Sequence, residues 1–270
     1  MTGTAAGRAP SEQLAAAYLR GERLVLVFDY DGTLAPFAAR PELAHLDPAM
    51  RGSLARLAAT PRVAVGVVSG RALDDLMAMV GLPGLYFGGT WGLELNLRGE
   101  RIVTADISQP NQSILDLIAA LEATLPSYPG AWVEKKRLGL TIHYRQVSAD
   151  RAESLQAELV ALLEPRFAAL RVYQAPLAIE VLPKPGPDKS TALKAIATHG
   201  NPARPAFVLY AGDTTNDADA LTLAAEWGGI ALGVGPEPPA AAEYHLPGPE
   251  ALAELLAGLA DTLTAVRSIA

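Results

Sequence analysis

The stretch LVLVFDYDGTL (residues 24–34) is the starting point for interpreting the chain. Its apolar run at 24–28 predicts a buried strand, because a continuous run of this length suits a parallel strand covered on both faces. Asp29 and Asp31 follow the run, and their spacing of two places both carboxylates on one side. Gly32 lets the backbone turn closely past a ligand. The stretch therefore predicts a strand that presents two acidic side chains to one pocket.

Three further apolar runs resemble the first and alternate with helical patterns. The further predicted strands are 63–68, 207–211 and 230–234. The predicted helices are 46–60, 71–80, 188–199, 216–226 and 249–266. This alternation predicts a doubly wound parallel α/β sheet, in which ligands bind beyond the carboxyl ends of the strands. The residues that directly follow each strand are therefore the candidate site.

The middle of the chain has a different pattern, which predicts an inserted α+β unit. Its predicted helices are 108–125 and 148–164, and its predicted strands are 131–136, 138–146, 170–174 and 177–182. LGLTIHYR (138–145) alternates apolar and polar residues, which is typical of an antiparallel strand covered on one face. The three prolines at 183–187 predict a stiff return linker. We therefore predict a core domain of 1–107 and 186–270 and an insert of 108–185.

Polar residues also follow the other core strands. Ser69 and Gly70 come after the second strand and form an anion site if a helix begins beside them. Lys189 opens the helix after the linker, where it is either a solvated surface charge or a partner for a phosphate. Asp213 ends the third strand and points to the same pocket as Asp29. Carboxylates held this close require a cation or a shared proton, and Mg²⁺ fits such a site.

Composition excludes several classes of function. The 270-residue chain has no cysteine, which excludes disulfides, thiolate metal sites and cysteine nucleophiles. Its net charge of −7 argues against nucleic-acid binding, which requires a basic surface. No apolar segment approaches the roughly 18 residues of a membrane helix, and no export signal is visible. We therefore expect a cytoplasmic protein with neither a nucleic-acid nor a membrane partner.

Four ordered motifs resemble the haloacid dehalogenase superfamily of phosphotransferases. They are DYDGT (29–33), VVSG (67–70), Lys189 and GDTTND (212–217). This resemblance implies a Rossmann-like core of the haloacid dehalogenase type, and it implies that the insert is a cap domain that closes over the pocket.

The resemblance also implies a role for each motif residue. Asp29 is expected to be the nucleophile that forms an aspartyl-phosphate, and Asp31 the general acid/base. The Mg²⁺ ligands are expected to be Asp29, the backbone carbonyl of Asp31, and Asp213. The residues expected to bind the phosphoryl group are Gly32, Ser69, Gly70 and Lys189, and those expected to support the metal ligands are Asn216 and Asp217.

The insert is similar to that of trehalose-6-phosphate phosphatases. The similar segments are VEKK (133–136), IHYR (142–145) and IEVLP (179–183), together with DYDGTLAP (29–36) and GGTWGLE (88–94) in the core. This similarity implies sugar contacts from Glu134, Lys136 and Glu180. It also implies hydrolysis of a sugar phosphate, trehalose 6-phosphate, to trehalose and phosphate, and a functional pairing with a trehalose-phosphate synthase.

Some positions depart from the family pattern. Trp91, Leu182, Ser190 and Thr214 stand where the family usually has His, Arg, Gly and Asp. Trp91 is predicted either to pack in the core or to stack on a sugar face. The open alternatives are a phosphatase of sucrose 6-phosphate or mannosyl-3-phosphoglycerate, and a non-catalytic domain that binds or senses phosphosugars.

Overall fold

The computed structural model describes residues 9–38, 43–106, 108, 111–175, 177–200 and 206–269. Two compact units make up the chain, one formed by residues 1–104 and 188–270 and the other by residues 105–187. Within the described ranges, no helix has both the length and the hydropathy that a membrane crossing requires.

The elements of the structure are numbered in chain order. The strands are β1 Arg23–Asp29, β2 Val63–Val68, β3 Tyr86–Gly89, β4 Glu94–Leu97, β5 Glu100–Val103, β6 Trp132–Lys135, β7 Leu140–His143, β8 Leu170–Ala175, β9 Ala178–Pro183, β10 Ala206–Gly212, β11 Ile230–Val234 and β12 Tyr244–Leu246. The helices are α1 Pro10–Leu19, α2 Pro48–Ala58, α3 Leu73–Val80, α4 Gln112–Thr124, α5 Ala149–Leu163, α6 Lys189–Thr198, α7 Ala218–Glu226 and α8 Pro249–Ile269.

The first unit is an eight-stranded sheet with helices on both faces. Its strand order is β12-β11-β10-β1-β2-β3-β4-β5, parallel from β12 to β3 and antiparallel in the last two pairs. In β1, Leu24, Leu26 and Phe28 pack in the core that includes Leu54 of α2. The alternate residues of β1 pack on the other face in the core that includes α6 and α7 side chains. The predicted doubly wound α/β fold is confirmed, and the apolar run of β1 is buried on both faces.

The second unit is a four-stranded antiparallel sheet with α4 and α5 on one face. Its strand order is β6-β7-β9-β8. Leu140 and Ile142 of β7 are buried against these helices, as the alternation in 138–145 predicts. On the opposite face, a row of residues crosses the sheet in register, and its members are Glu134, Thr141, Glu180 and Tyr173.

Several predicted element boundaries are wrong, and contacts of Ser69 and Pro183 explain two of them. Helix α3 begins at Leu73 and not at residue 71, because the Ser69 hydroxyl accepts a hydrogen bond from the Arg71 N–H (3.2 Å) and forms a turn there. The strand predicted to end at 182 includes Pro183, which pairs with Leu170 of β8. Proline is tolerated here because β7 pairs with β9 only as far as Val181, so no partner requires the missing N–H.

Candidate active site

The carboxyl ends of the central strands bring the predicted core residues to one edge of the sheet. β1 lies between β10 and β2, and Asp29 is its last residue. Ser69 directly follows β2, and Asp213 directly follows β10. All three side chains are buried. The parallel register therefore turns three separate sequence motifs into one site.

Lys189 is the buried cation of this site. Its side chain is 2% exposed, and its Nζ donates to Asp29 Oδ1 (2.6 Å), Asn216 Oδ1 (2.6 Å) and Asp217 Oδ1 (2.8 Å). Asp188 caps the first turn of α6 and thereby fixes where Lys189 begins the helix. Burial alone would lower the pKa of Lys189, but the carboxylates of Asp217 and Asp29 outweigh burial and raise it. Lys189 is therefore a fixed positive charge beside Asp29.

Asp217 connects this lysine to the backbone. It is fully buried, and its Oδ1 accepts from Lys189 and from the Tyr210 hydroxyl (2.6 Å). Its Oδ2 accepts from the backbone N–H groups of Asp213 (3.3 Å) and Thr214 (3.2 Å). A short 3₁₀ turn at 215–217 makes this possible, and for this reason α7 begins at 218 and not at the predicted 216. Both carboxylate oxygens of Asp217 are thus already engaged.

The donor set of the site fits a divalent cation. Oxygens of Asp29, Asp213 and Asp217 lie within 4.8 Å of one another, with one lysine to balance three carboxylates. Asp213 Oδ1 is buried and has no hydrogen-bond partner among the described residues. Burial, with the neighbouring carboxylates adding to it, raises the pKa of Asp29 to about 7 and that of Asp213 to about 10. Mg²⁺ suits such a site because it prefers carboxylate oxygens and favours the ionised forms.

Gly32 occupies a position with no room for a side chain. Its φ is +87°, a left-handed conformation that favours glycine. A Cβ atom there would lie 2.1 Å from Asp213 Oδ2 and 2.6 Å from the Phe37 ring. The backbone turn after β1 can therefore lie directly against Asp213.

Asp31 is held by a residue that the sequence analysis missed. Arg71 donates from Nε to Asp31 Oδ2 (2.7 Å) and from Nη2 to Asp31 Oδ1 (2.6 Å). This two-point pairing matches the planar guanidinium to the carboxylate and fixes its orientation. A sequence signal was present, because Arg71 completes Ser69-Gly-Arg at the same sheet edge as the other site residues.

Trp91 is a packing residue, which is the first of the two alternatives that the sequence left open. It is 1% exposed, and a Cβ atom on Gly70 would lie only 2.8 Å from its indole ring. Its backbone N–H donates to the Ser69 carbonyl (3.0 Å), so it supports the turn at 69–71. The Ser69 turn also replaces the predicted helix terminus, since α3 begins four residues after Ser69. Ser69 and Gly70 are therefore positioned by the turn and by Trp91.

The predicted sugar residues lie on the polar face of the second unit's sheet. Glu134 Oε2 is 2.9 Å from His143 Nε2 and 3.7 Å from Lys136 Nζ. The hydrogen bond with His143, aided by the charge of Lys136, lowers the pKa of Glu134. Glu180 lies two strands away in the same cross-strand row. The exposed Trp132 stacks on His143, with ring centroids 4.2 Å apart, and was missed because it is a single aromatic residue at a strand end.

A family model agrees with these motifs. The model for trehalose-phosphatase matches residues 27–231, which is more than half of the chain. The chain belongs to the trehalose-phosphatase family. The resemblance drawn from the sequence is therefore confirmed, and the core has the fold of the haloacid dehalogenase superfamily.

Curated and solved members of the family are similar to this chain over different lengths. Probable trehalose-phosphate phosphatase 4 of Oryza sativa subsp. japonica is 32% identical over 254 residues, which cover 91% of this chain and 68% of that protein. The trehalose-phosphate phosphatase of Mycobacterium bovis is 35% identical over 199 residues, covering 73% of this chain and about half (50%) of the relative. The C-terminal domain of C. albicans trehalose-6-phosphate phosphatase superposes with a TM-score of 0.81 at 23% identity, covering 94% and 98% of the two chains. At this low identity, the superposition shows that the two proteins share a fold.

Proposed function

We propose that this protein is a Mg²⁺-dependent phosphatase that hydrolyses trehalose 6-phosphate to trehalose and phosphate. The observation that carries the proposal is the buried cluster of Asp29, Lys189, Asp213 and Asp217 in a member of the trehalose-phosphatase family. A trehalose-phosphate synthase, whose product is the substrate, is the expected functional partner, and the cytoplasm is the expected compartment.

In the first half-reaction, Asp29 acts as the nucleophile. Its carboxylate attacks phosphorus, the bond from phosphorus to the sugar oxygen breaks, and the sugar oxygen takes a proton from Asp31. The proposed phosphoryl-binding residues are Gly32, Ser69, Gly70 and Lys189. The Gly32 N–H donates to the Ala35 carbonyl (2.7 Å), so Gly32 contributes through the close backbone approach that its lack of a side chain allows. Lys189 lies 2.6 Å from Asp29 and therefore places its charge where the phosphoryl group must sit.

In the second half-reaction, water hydrolyses the aspartyl-phosphate on Asp29. Asp31, now a carboxylate, takes a proton from the water as its oxygen attacks phosphorus, and Asp29 and inorganic phosphate are released. Arg71 holds both oxygens of Asp31 in the structure. At least one of these bonds must break when Asp31 carries and donates its proton. Arg71 therefore orients Asp31 while it is a carboxylate, between the two half-reactions.

The residues that would hold Mg²⁺ are Asp29, the backbone carbonyl of Asp31, and Asp213. When bound, the ion supplies positive charge that reduces the repulsion between a carboxylate nucleophile and a phosphate dianion. The unpartnered Oδ1 of Asp213 supports this assignment. Asn216 and Asp217 support the site through Lys189, to which both accept hydrogen bonds.

A substrate panel tests the function. Phosphate release would be measured with Mg²⁺ and with EDTA on trehalose 6-phosphate, sucrose 6-phosphate, mannosyl-3-phosphoglycerate and glucose 6-phosphate. We expect Mg²⁺-dependent release that is highest with trehalose 6-phosphate. Preference for another sugar phosphate would agree with the proposed reaction but contradict trehalose 6-phosphate as the substrate. No release from any of the four compounds would favour a non-catalytic phosphosugar-binding domain.

Glu180→Ala is expected to weaken sugar binding selectively. Glu180, Glu134 and Lys136 are the proposed sugar contacts, and a hydrogen bond to a charged group contributes about 1.5–3 kcal/mol. The KM for trehalose 6-phosphate should therefore rise roughly 10- to 100-fold. The KM for p-nitrophenyl phosphate, which has no sugar, should change little.

The control for this prediction is Glu153→Ala, because Glu153 is an exposed glutamate on α5, which packs against the opposite face of the same sheet. It should leave both KM values unchanged. Equal losses on both substrates in Glu180→Ala would place Glu180 outside the sugar site.

A further inference from the structure

A cleft of about 290 Å³ lies at the edge of the core sheet opposite the candidate active site. Its walls include Arg23 at the start of β1, Arg62 just before β2 and Tyr86 at the start of β3, together with Arg98 in the turn between β4 and β5. The first three positions are at the amino-terminal ends of parallel strands, and the turn that contains Arg98 lies beside the start of β3. The length of β1 separates them from Asp29, a distance of about 20 Å at the usual rise per residue.

Among the residues that the structure describes, none of the three arginines of this cleft pairs with an acidic side chain. Arg23 donates to the carbonyls of Ala197 (3.0 Å) and Ile196 (3.5 Å), and Arg62 donates to those of Tyr18 (3.2 Å) and Glu22 (3.3 Å). The Arg98 guanidinium lies 5.0 Å from the centre of the Tyr86 ring. Each guanidinium has five N–H donors, so all three retain donors for a ligand.

No acidic side chain lines the cleft among the described residues. The carboxylates nearest in sequence are engaged elsewhere, Glu22 with Arg20 (2.7 Å) and Glu100 with His199 (3.6 Å). The chain as a whole carries a net charge of −7. Three positive charges that line one cleft without a carboxylate give it a local positive potential, which attracts an anion.

Two of these arginines have a backbone conformation that is unusual for residues with a side chain. Arg62 and Arg98 have φ values of +62° and +57°, in the left-handed region that disfavours residues with a side chain. Asparagine or glycine suits such a turn better than arginine. Residues held in sparsely populated backbone conformations cluster at active sites and ligand-binding sites.

We propose that this cleft binds a phosphate-type oxyanion, either free or carried by a small molecule. Arginine is the side chain best matched to such a ligand, because its planar fork bonds two oxygens at once. The proposal does not depend on the function assigned to the opposite edge of the sheet.

The test is equilibrium dialysis of the full chain with radiolabelled inorganic phosphate and, separately, with radiolabelled glucose 6-phosphate. The cleft variant is Arg62→Gln/Arg98→Gln. The control variant is Arg56→Gln/Arg101→Gln, which removes the same charge from two exposed arginines outside the cleft. Circular dichroism, which should be unchanged in both, shows that the variants are folded. Arg98→Gln alone provides a second variant, since the one contact described for Arg98 is with the Tyr86 ring.

We expect the cleft variant to bind one anion fewer per chain than the wild type and the control variant. Loss with inorganic phosphate would identify a free oxyanion, and loss with glucose 6-phosphate alone would identify a phosphorylated small molecule. Equal binding of both probes by wild type, cleft variant and control would overturn the proposal and leave the arginines as structural residues only.

Discussion

Asp29→Asn is expected to abolish phosphate release from every substrate. The amide of asparagine is not a nucleophile, so no aspartyl-phosphate can form. Loss of a covalent nucleophile lowers kcat by factors on the order of 10⁴ or more. The variant should remain folded, because Lys189 keeps its bonds to Asn216 and Asp217. The measurement is kcat on trehalose 6-phosphate, with circular dichroism to verify the fold.

A second measurement separates the proposed chemistry from a general loss of binding. Each protein would be quenched in acid during incubation with substrate that is radiolabelled in its phosphate. The wild type should carry covalently bound label, and Asp29→Asn should carry none. The matched control is Asp219→Asn, because Asp219 is an exposed aspartate on α7 close in sequence to the site. The control should retain full turnover. Turnover by Asp29→Asn within an order of magnitude of the wild type would contradict the mechanism.

The sequence predicted the central sheet well because its strands are continuous apolar runs. β2 and β11 begin and end at the predicted residues, since both are buried on two faces and bounded by polar turns. The short strands β3, β4 and β5 were missed. β3 is Tyr-Phe-Gly-Gly, and β5 is a largely exposed edge strand, so neither has an apolar period that reveals it.

The candidate site also has features that the sequence predicted and features that it did not. Asp29, Asp213 and Lys189 were predictable because each ends a strand, directly follows one or opens a helix. The pairing of Arg71 with Asp31 and the burial of Trp91 against Gly70 were not, because both depend on contacts between separate segments. Periodicity fixes where an element lies, but such contacts are set by how the elements pack.

Asp217→Ala is expected to cause the largest loss of stability among substitutions at the site. The change removes the acceptor for Lys189, the Tyr210 hydroxyl and two backbone N–H groups, all in a region closed to water. Removing one partner of a buried ion pair costs roughly 3–5 kcal/mol. We expect the free energy of unfolding, measured by urea denaturation, to fall by about this amount. We expect phosphate release to be lost because Lys189 loses a carboxylate that holds it beside Asp29.

Two variants calibrate this expectation. Asp217→Asn keeps the shape of the side chain and one acceptor oxygen but directs an NH₂ group at hydrogen-bond donors. Its free energy of unfolding should therefore lie between those of the wild type and Asp217→Ala. Asp219→Ala, at an exposed position on α7, should change the free energy of unfolding by no more than about 0.5 kcal/mol. A stable Asp217→Ala protein would show that the network around Asp217 contributes little to the fold.

The dependence of the free energy of unfolding on Mg²⁺ shows whether Asp217 supports the site or is itself a metal ligand. If Asp217 only supports the site, as the five hydrogen bonds that it accepts from described residues indicate, Asp217→Ala should lose much the same stability in EDTA as in Mg²⁺. If Asp217 were itself a metal ligand, the wild type would gain stability from Mg²⁺ that the variant could not, and the difference would widen with Mg²⁺ concentration. Both oxygens of Asp217 already accept hydrogen bonds, whereas Asp213 Oδ1 accepts none from the described residues. We therefore expect the Mg²⁺-dependent part of the stability to be lost in Asp213→Asn and most of the Mg²⁺-independent part in Asp217→Ala.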